Sequence, residues 1–504
     1  MSCGQPAPDE TQELPAAVAP AATCVRCSLP PGIVVRTTSY CWEHFHDHFT
    51  FAYRKGIDGA RTRSRSGRPQ DVLNGAKRGT KRSKVMLAFS GGASSRVLLD
   101  LLQKNSFTRP DDPSLSNPRF KPPPTFESLE ILYVDESGVP GFGPDRTEEV
   151  RALVAETPFP FRSIKLESIF TPSTTTFSTS YSTPSLLTST STSTPLDPLT
   201  SLLSFLSPST HSPTSLASLH SSLLHSLLRR EALSSGCEIL LTGETANRVA
   251  IQTIAGMAEG RGFSMGEEVG CEWEASEEEG GGLLVARPLS SILLKEVTYY
   301  ARIRELESLT MRRPETGVEP KKAGIEALVQ DFVNGLEANF PSTVSTIIRT
   351  AQKLGMRSAD ERERKVEGIR CPLCGLPAQL GAEDWRKAIT ISTLSDLKSA
   401  APSSSSTPSL PAPAAAADLP SPEAALAPLL CYSCLLIMQG TLPPPRGAPT
   451  PDEEEKVVVL PPYVEEMARR RRRIAEEEEG VVGRRTVSGV EGVRREVEGY
   501  LLDE

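Results

Sequence analysis

The stretch "KVMLAFSGGASSRVLLDLL", Lys84 to Leu102, decides the fold class of this chain. Val85 to Phe89 is an apolar run of strand length, Ser90-Gly91-Gly92 turns the chain, and from Ser94 to Lys104 apolar residues recur at helical spacing. Strand, glycine turn and helix together make a phosphate-type cradle. Glycines let backbone N–H groups approach an anion, and the helix N-terminus adds partial positive charge. The cradle residues are Ser90, Gly91, Gly92, Ser94 and Ser95. Two uses stay open for them: a turn that only packs a helix on a sheet, or a weak, non-hydrolytic nucleotide or phosphate site.

Outward from this stretch the same rhythm repeats. Strands are predicted at 129–134 and 161–166 with a helix near 145–156 between them. A helix from Leu219 to Ser234 then leads into strand Cys237–Gly243, and another helix begins near Thr245. After 282 a strand or extended turn precedes an amphipathic helix, Ser291 to Glu305. Alternating strands and helices predict an α/β domain over 85–310, a Rossmann-like parallel sheet with helices on both faces. A Ser/Thr tract, 171–215, and an acidic Gly-rich run, 267–282, interrupt the rhythm and read as inserts, the first of them disordered. Asp135, at the end of the second strand, reads as a capping or turn residue.

The remaining boundaries follow composition. Residues 1–23 are Pro/Ala-rich and expected to be disordered, 24–50 are rich in Cys, His and aromatics, and 51–84 form a basic linker. A helical region is expected over 311–360, a Cys-bearing module over 361–440 with a disordered insert at 397–427, and an acidic, helical tail over 441–504. In that tail Arg469 to Arg473 followed by Glu476 to Glu479 reads as a self-compensating exposed helix. With 43 Pro among 504 residues, much of the chain builds no core. The net charge of −8 argues against a wholly basic nucleic-acid coat. No N-terminal apolar leader and no apolar run of about 18 residues occurs, so a cytoplasmic protein with no membrane partner is expected.

In that compartment the 10 Cys are not expected to form disulfides, and six of them fall in CxxC pairs. Cys24 and Cys27 are separated from Cys41 and His44 by 13 residues, so two knuckles can each offer two ligands to one tetrahedral zinc. Cys371, Cys374, Cys431 and Cys434 form a second set across a loop of 56 residues, whose closure entropy rises only logarithmically with length. Two structural zinc ions are therefore expected, in N-terminal and C-terminal zinc-knuckle modules. His46 and His48 are spare and read as surface or stacking residues, while Phe45, Phe49 and Tyr53 read as packing around the first knuckle.

Eleven Lys or Arg lie between Phe51 and Lys84 against only Asp58 and Asp71. Arg61, Arg63, Arg65, Arg68, Lys77, Arg78, Lys81 and Arg82 are the candidates for contact with an RNA backbone, through counterion release. Charge alone fits a solvated linker equally well.

Five motifs occur together: "SGGASS" at 90–95, "CVRC…CWEHF", "TGETANRVAIQTI" at 242–254, "RPLSSILLKEVTYY" at 287–300 and "CPLC…CYSC". As a set, they resemble the cytoplasmic tRNA 2-thiolation protein 2 family, a degenerate branch of the PP-loop ATP pyrophosphatases. The resemblance implies a PP-loop (adenine nucleotide alpha hydrolase-like) sheet and a heterodimer with a catalytic PP-loop tRNA thiolation subunit. That partner would use ATP to adenylate the wobble uridine, position 34, of cytosolic tRNAs for Lys, Glu and Gln. Sulfur would come from a thiocarboxylated ubiquitin-related modifier. It also tips the basic segment toward tRNA. Active superfamily members read SGGxDS, whereas here Ser94 stands at the Asp and Ala93 at the position where the active subunit commonly has Lys. The partner's GHNADD reads Gly243-Glu244-Thr245-Ala246-Asn247-Arg248, and before "LRR" at 228–230 the chain has His225 and Ser226 where the active subunit carries a cysteine. Charge stabilisation and sulfur carriage are both missing, so no catalytic residue is assigned and ATP belongs to the partner. A stand-alone tRNA-modifying enzyme with a divergent turn and a zinc-dependent interaction scaffold are the alternatives.

Overall fold

In the computed structural model the described residues are 23–66, 83–107, 126–171, 179–183, 189–191, 197–207, 211–270, 272–275, 282–310, 324–340, 342–351, 353, 370–379, 382, 426–439 and 456–471. A hairpin, β1 (Ile33–Val35) with β2 (Thr38–Tyr40), precedes helix α1 (Trp42–Ser66). The main sheet then begins: β3 (Lys84–Ala88), α2 (Ala93–Leu102), β4 (Ser128–Asp135), α3 (Thr147–Val154) and β5 (Phe161–Lys165). Beyond these come β6 (Thr179–Thr183), β7 (Ser189–Ser191), α4 (Pro198–Phe205), α5 (Pro213–Ser234), β8 (Ile239–Thr242), α6 (Ala246–Ala258) and α7 (Met265–Val269). The sheet ends with β9 (Glu272–Ala275) and β10 (Gly282–Ala286), followed by α8 (Leu294–Ile303), α9 (Ile325–Asn339) and α10 (Thr343–Ala351). Helix α11 (Tyr432–Gln439), strand β11 (Lys456–Val459) and a helix α12 over 462–471 close the described chain.

The sheet order is β5-β4-β3-β8-β10-β9, with every pair parallel except the antiparallel edge β9. The α/β expectation is met, and the first strand starts one residue earlier than its apolar run. Period-two alternation separates two cores. Val85, Leu87, Ile131, Ile239, Leu241 and Leu284 face one side, and Met86, Leu132, Leu240, Leu283 and Val285 the other. Helices α1, α2, α3 and α8 contribute to the first core, whereas α4, α5, the second cysteine set and α12 contribute to the second. A smaller core joins α6, α7, α9 and α10.

Four boundaries differ from expectation. The tract 171–215 is not a featureless insert: Leu202 and Phe205 of α4 are 0% exposed, and β6 pairs with β7 and β11 in an antiparallel sheet. Its serine content hid an i, i+3, i+4 apolar set, Leu202, Phe205 and Leu206. The run 267–282 contains the end of α7 and the edge strand β9. The proposed break at residue 50 lies inside α1, which continues to Ser66. Finally, the tail is not wholly exposed, because Val464, Ala468 and Arg471 of α12 are buried, Arg471 at 4%. The segments 1–22 and 397–425 lie outside the described residues.

Helix α1 is held by packing rather than by propensity. Phe45, Phe49, Tyr53 and Ile57, one face at four-residue spacing, are all buried, each worth roughly 2 kcal/mol relative to exposure. Phe49 stacks on Tyr300 of α8 at 4.7 Å between centroids, and Tyr300 donates to Asp100 of α2 at 3.0 Å. Gly56 lets α1 touch the chain after β10: a Cβ there would stand 2.5 Å from the Pro288 carbonyl oxygen.

Candidate functional site

In an open parallel sheet, ligands gather beyond the C-terminal ends of the strands where the winding direction reverses. Here that point lies between β3 and β8, and the Ser90–Ser95 turn and Gly243-Glu244 follow those two strands directly. The two motifs are packed together, since a Cβ on Gly243 would sit 3.0 Å from the Ser95 backbone. Gly91 has φ +81° and its carbonyl accepts from Leu309 N–H at 2.8 Å, so a side chain at 91 would meet both strain and Leu309. The turn's hydroxyls are satisfied locally: Ser95 Oγ donates to Gly92 O at 3.0 Å and lies 3.3 Å from Ser90 Oγ. Ser94 is partly exposed at the first turn of α2.

Acidic groups beside this crevice are already engaged. Glu244 is ion-paired with Arg287 and accepts from Gln252 at 2.8 Å and Thr242 at 3.3 Å. Burial alone would raise its pKa, but Arg287 outweighs that penalty, helped by His225, Gln252 and Arg248, and holds the carboxyl at about 2. Asp135 accepts from Ser137 N–H and Oγ–H, each at 3.0 Å, which is the turn role read from the sequence. A short cavity nearby is lined by His225, Arg229, Gln252, Arg261, Arg287 and Cys374. Sequence reading missed this cavity because its walls come from segments more than a hundred residues apart.

At the N-terminal set, the ligand atoms of Cys24, Cys27, Cys41 and His44 lie within 4.8 Å of one another. Cys24 Sγ and Cys41 Sγ stand 3.5 and 3.3 Å from His44 Nδ1, and Cys27 Sγ is 3.6 Å from Cys41 Sγ. A tetrahedron with metal–sulfur bonds of about 2.3 Å has edges of roughly 3.5–3.8 Å. These separations fit one ion. Burial would raise the Cys24 thiol, but backbone amides of Cys41, Arg26 and Cys27 bring it down to about 6, toward the ligand form. His46 stacks on Tyr300 and His48 on Tyr40, outside the ligand cluster.

The C-terminal ligand atoms of Cys371, Cys374, Cys431 and Cys434 also lie within 4.8 Å of one another, with Cys374 and Cys431 Sγ 3.9 Å apart. Cys431 N–H donates to Cys371 Sγ at 3.4 Å, and the knuckle closes with Gly375 N–H donating to Cys371 O at 2.9 Å, Gly375 at φ +71°. Burial opposes a thiolate at Cys371, yet hydrogen bonds from the other three thiols and the Cys374 amide push it well below its usual range. A divalent ion would convert the remaining thiols with release of protons. Four thiolates around a divalent ion leave negative charge, and arginines surround it. Arg229 Nη1 donates to Cys374 O at 3.3 Å, Arg370 Nη1 to Gly375 O at 2.7 Å, and Arg471 to Leu429 O and Gln379 O. Arg261 lies between Glu268, Glu259 and the sulfurs of Cys374 and Cys434. Arg471 thus corrects the exposed-helix expectation: it caps carbonyls of the Cys-bearing module.

Of the RNA candidates, Arg61, Arg63 and Arg65 fall in the last turns of α1, continuous with the first knuckle. Arg68, Lys77, Arg78, Lys81 and Arg82 lie outside the described residues. Among the described residues no helix is long and apolar enough to cross a membrane.

A family model described as cytoplasmic tRNA 2-thiolation protein 2 matches residues 324–436. The human protein of that description is 27% identical over 501 residues, 86% of this chain and 90% of the relative. One from Phaeosphaeria nodorum is 28% identical over 323 residues, 62% of this chain and 77% of the relative. Among solved structures, a U34-tRNA thiolase from Methanococcus maripaludis with its 4Fe-4S cluster is 18% identical, with 68% of this chain and 94% of that chain covered at a TM-score of 0.43.

Proposed function

We infer a role from the premise that this chain belongs to the cytoplasmic tRNA 2-thiolation protein 2 family. It is the non-catalytic subunit of a cytoplasmic complex that thiolates the wobble uridine of tRNAs for Lys, Glu and Gln. The catalytic partner carries the intact SGGxDS turn and adenylates the uridine, and a thiocarboxylated ubiquitin-related modifier supplies sulfur. This chain binds tRNA through the basic segment from Arg61 to Arg82 and supports the partner. One observation carries the reading. At the β3/β8 switch point the turn offers Ser94 and a neutral Ala93, and the neighbouring Glu244 is tied to Arg287. Backbone N–H groups alone do not supply the charge that adenylation must stabilise.

Zinc fits both cysteine sets better than an iron–sulfur cluster. In a cluster each thiolate binds a different iron at the corner of a cube, which spreads the sulfurs, whereas here all four ligand atoms of each set close on one point. Cys24, Cys27, Cys41 and His44 would hold one ion and Cys371, Cys374, Cys431 and Cys434 the other, each shell closed to substrate. The metal's contribution is then folding free energy rather than chemistry.

The test is reconstitution. Ser94→Ala is expected to leave 2-thiouridine formation by the assembled complex within about twofold of wild type, and the isolated chain is expected not to adenylate tRNA. Robust adenylation by the isolated chain, abolished by Ser94→Ala, would falsify the non-catalytic reading.

A further inference from the structure

Helix α9 turns one face to the protein and another to solvent. Val329 and Val333, 8% and 0% exposed, pack in the core shared with α6 and α10. Leu328 and Phe332 are 70% and 57% exposed, and Phe340, just past the helix, is 45% exposed. At 3.6 residues per turn Leu328, Phe332 and Gly335 fall within about 60° of the helix circumference, so they form one stripe rather than scattered apolar residues. Gly335 is unusual in that stripe. A Cβ there would meet nothing within 4 Å, so no contact inside the described chain requires glycine, although glycine weakens a helix interior. Its use is room for a close approach from outside.

We propose that the Leu328–Phe332–Gly335 face of α9 is where the catalytic subunit docks, through the apolar face of a helix edged by lysine or arginine. The proposal rests on the heterodimer reading above. The charge of α9 selects the occupant: it carries Glu326, Asp331 and Glu337 and no Lys or Arg. A second copy of this helix would bring carboxylates against carboxylates, and an RNA backbone would be repelled, while a basic-edged helix is attracted. Leu328 and Phe332 supply anchors at i and i+4, and Gly335 lets the crossing helix approach closely.

The test uses the full chain with the SGGxDS-bearing chain of the same organism. Leu328→Glu with Phe332→Glu, and separately Gly335→Leu, are expected to weaken binding to that subunit by roughly 30-fold or more, as loss of anchors in an interface centre does. The thermal midpoint of the isolated chain is expected not to fall, since these positions face solvent. Wild-type affinity in both variants would overturn the docking face and leave the subunit reading standing. Failure of the wild-type chain to bind that subunit would remove both. A lowered midpoint in the isolated variants would mean that another segment of this chain covers the stripe. Loss of tRNA affinity with assembly intact would make it an RNA surface, and conversion of a wild-type dimer of this chain to monomer would make it a self-interface; each of these rejects the proposal.

Discussion

Cys371 and Cys374 give two of the four ligand atoms in a cluster that shares its core with α5 and the sheet. Changing both to Ser replaces soft thiolates by poor ligands and leaves a buried polar hole. Metal analysis is expected to show the loss of one zinc with the N-terminal ion retained, and unfolding to cost several kcal/mol less. The eight ligands were legible in the sequence because each knuckle is a local pattern of four residues. Arg229, Arg261 and Arg471 were not, because what places them beside the sulfurs is tertiary packing of three distant segments. Glu244 is similar: as a letter it marked a lost acidic pair, and only the fold supplied Arg287. Its carboxyl titrates near 4.5 in an unfolded chain and about 2 in the fold, so its stabilisation is complete above 4.5 and is lost as pH falls toward 2. At pH 6 Glu244→Gln is expected to lower stability by about 3 kcal/mol, and denaturant unfolding at pH 3 should show a smaller gap between variant and wild type. A gap that does not change with pH would show that the pair is not linked to folding.

Among elements, α1 is the least predictable from composition and the most informative once placed. Its aromatic half reads as a knuckle and its basic half as a linker, yet a single helix carries both and sets the direction in which Arg61, Arg63 and Arg65 leave the fold. Sequence reasoning broke it at residue 50 because the charge changes there, whereas the helical period does not. The joint is Gly56. By propensity Gly56→Ala should stabilise a helix by up to about 1 kcal/mol, but the Cβ would meet the Pro288 backbone at 2.5 Å, which cannot give way like a side chain. The steric clash is expected to win: thermal unfolding should show a net loss of about 1–3 kcal/mol. A gain in midpoint would mean that α1 does not press on the strand end. The five parallel strands were legible because each is bounded by turn chemistry, and α4 was not because four apolar residues were diluted among serines.

For the whole molecule, a net charge of −8 conceals a strongly basic stretch, so binding to tRNA should depend on that stretch and on salt. Neutralising Arg61, Arg63, Arg65 and Arg68 together is expected to weaken tRNA binding by the assembled complex. The slope of log affinity against log salt should fall by about one for each phosphate that the chain no longer neutralises. An unchanged slope assigns the stretch to a linker. The order of the cores along the chain has a different consequence. One face of the sheet is completed only by Cys371–Cys434 and by α12, which ends at Arg471, although its first strand begins at Lys84. A ribosome making roughly 5–20 residues per second therefore holds Leu219, Leu223 and Leu227 of α5 without their lid for some tens of seconds. Even then the lid closes only where zinc is at hand. Newly made chains thus depend on chaperone shelter and metal supply together, and zinc-starved cells should send this subunit to degradation before its partner.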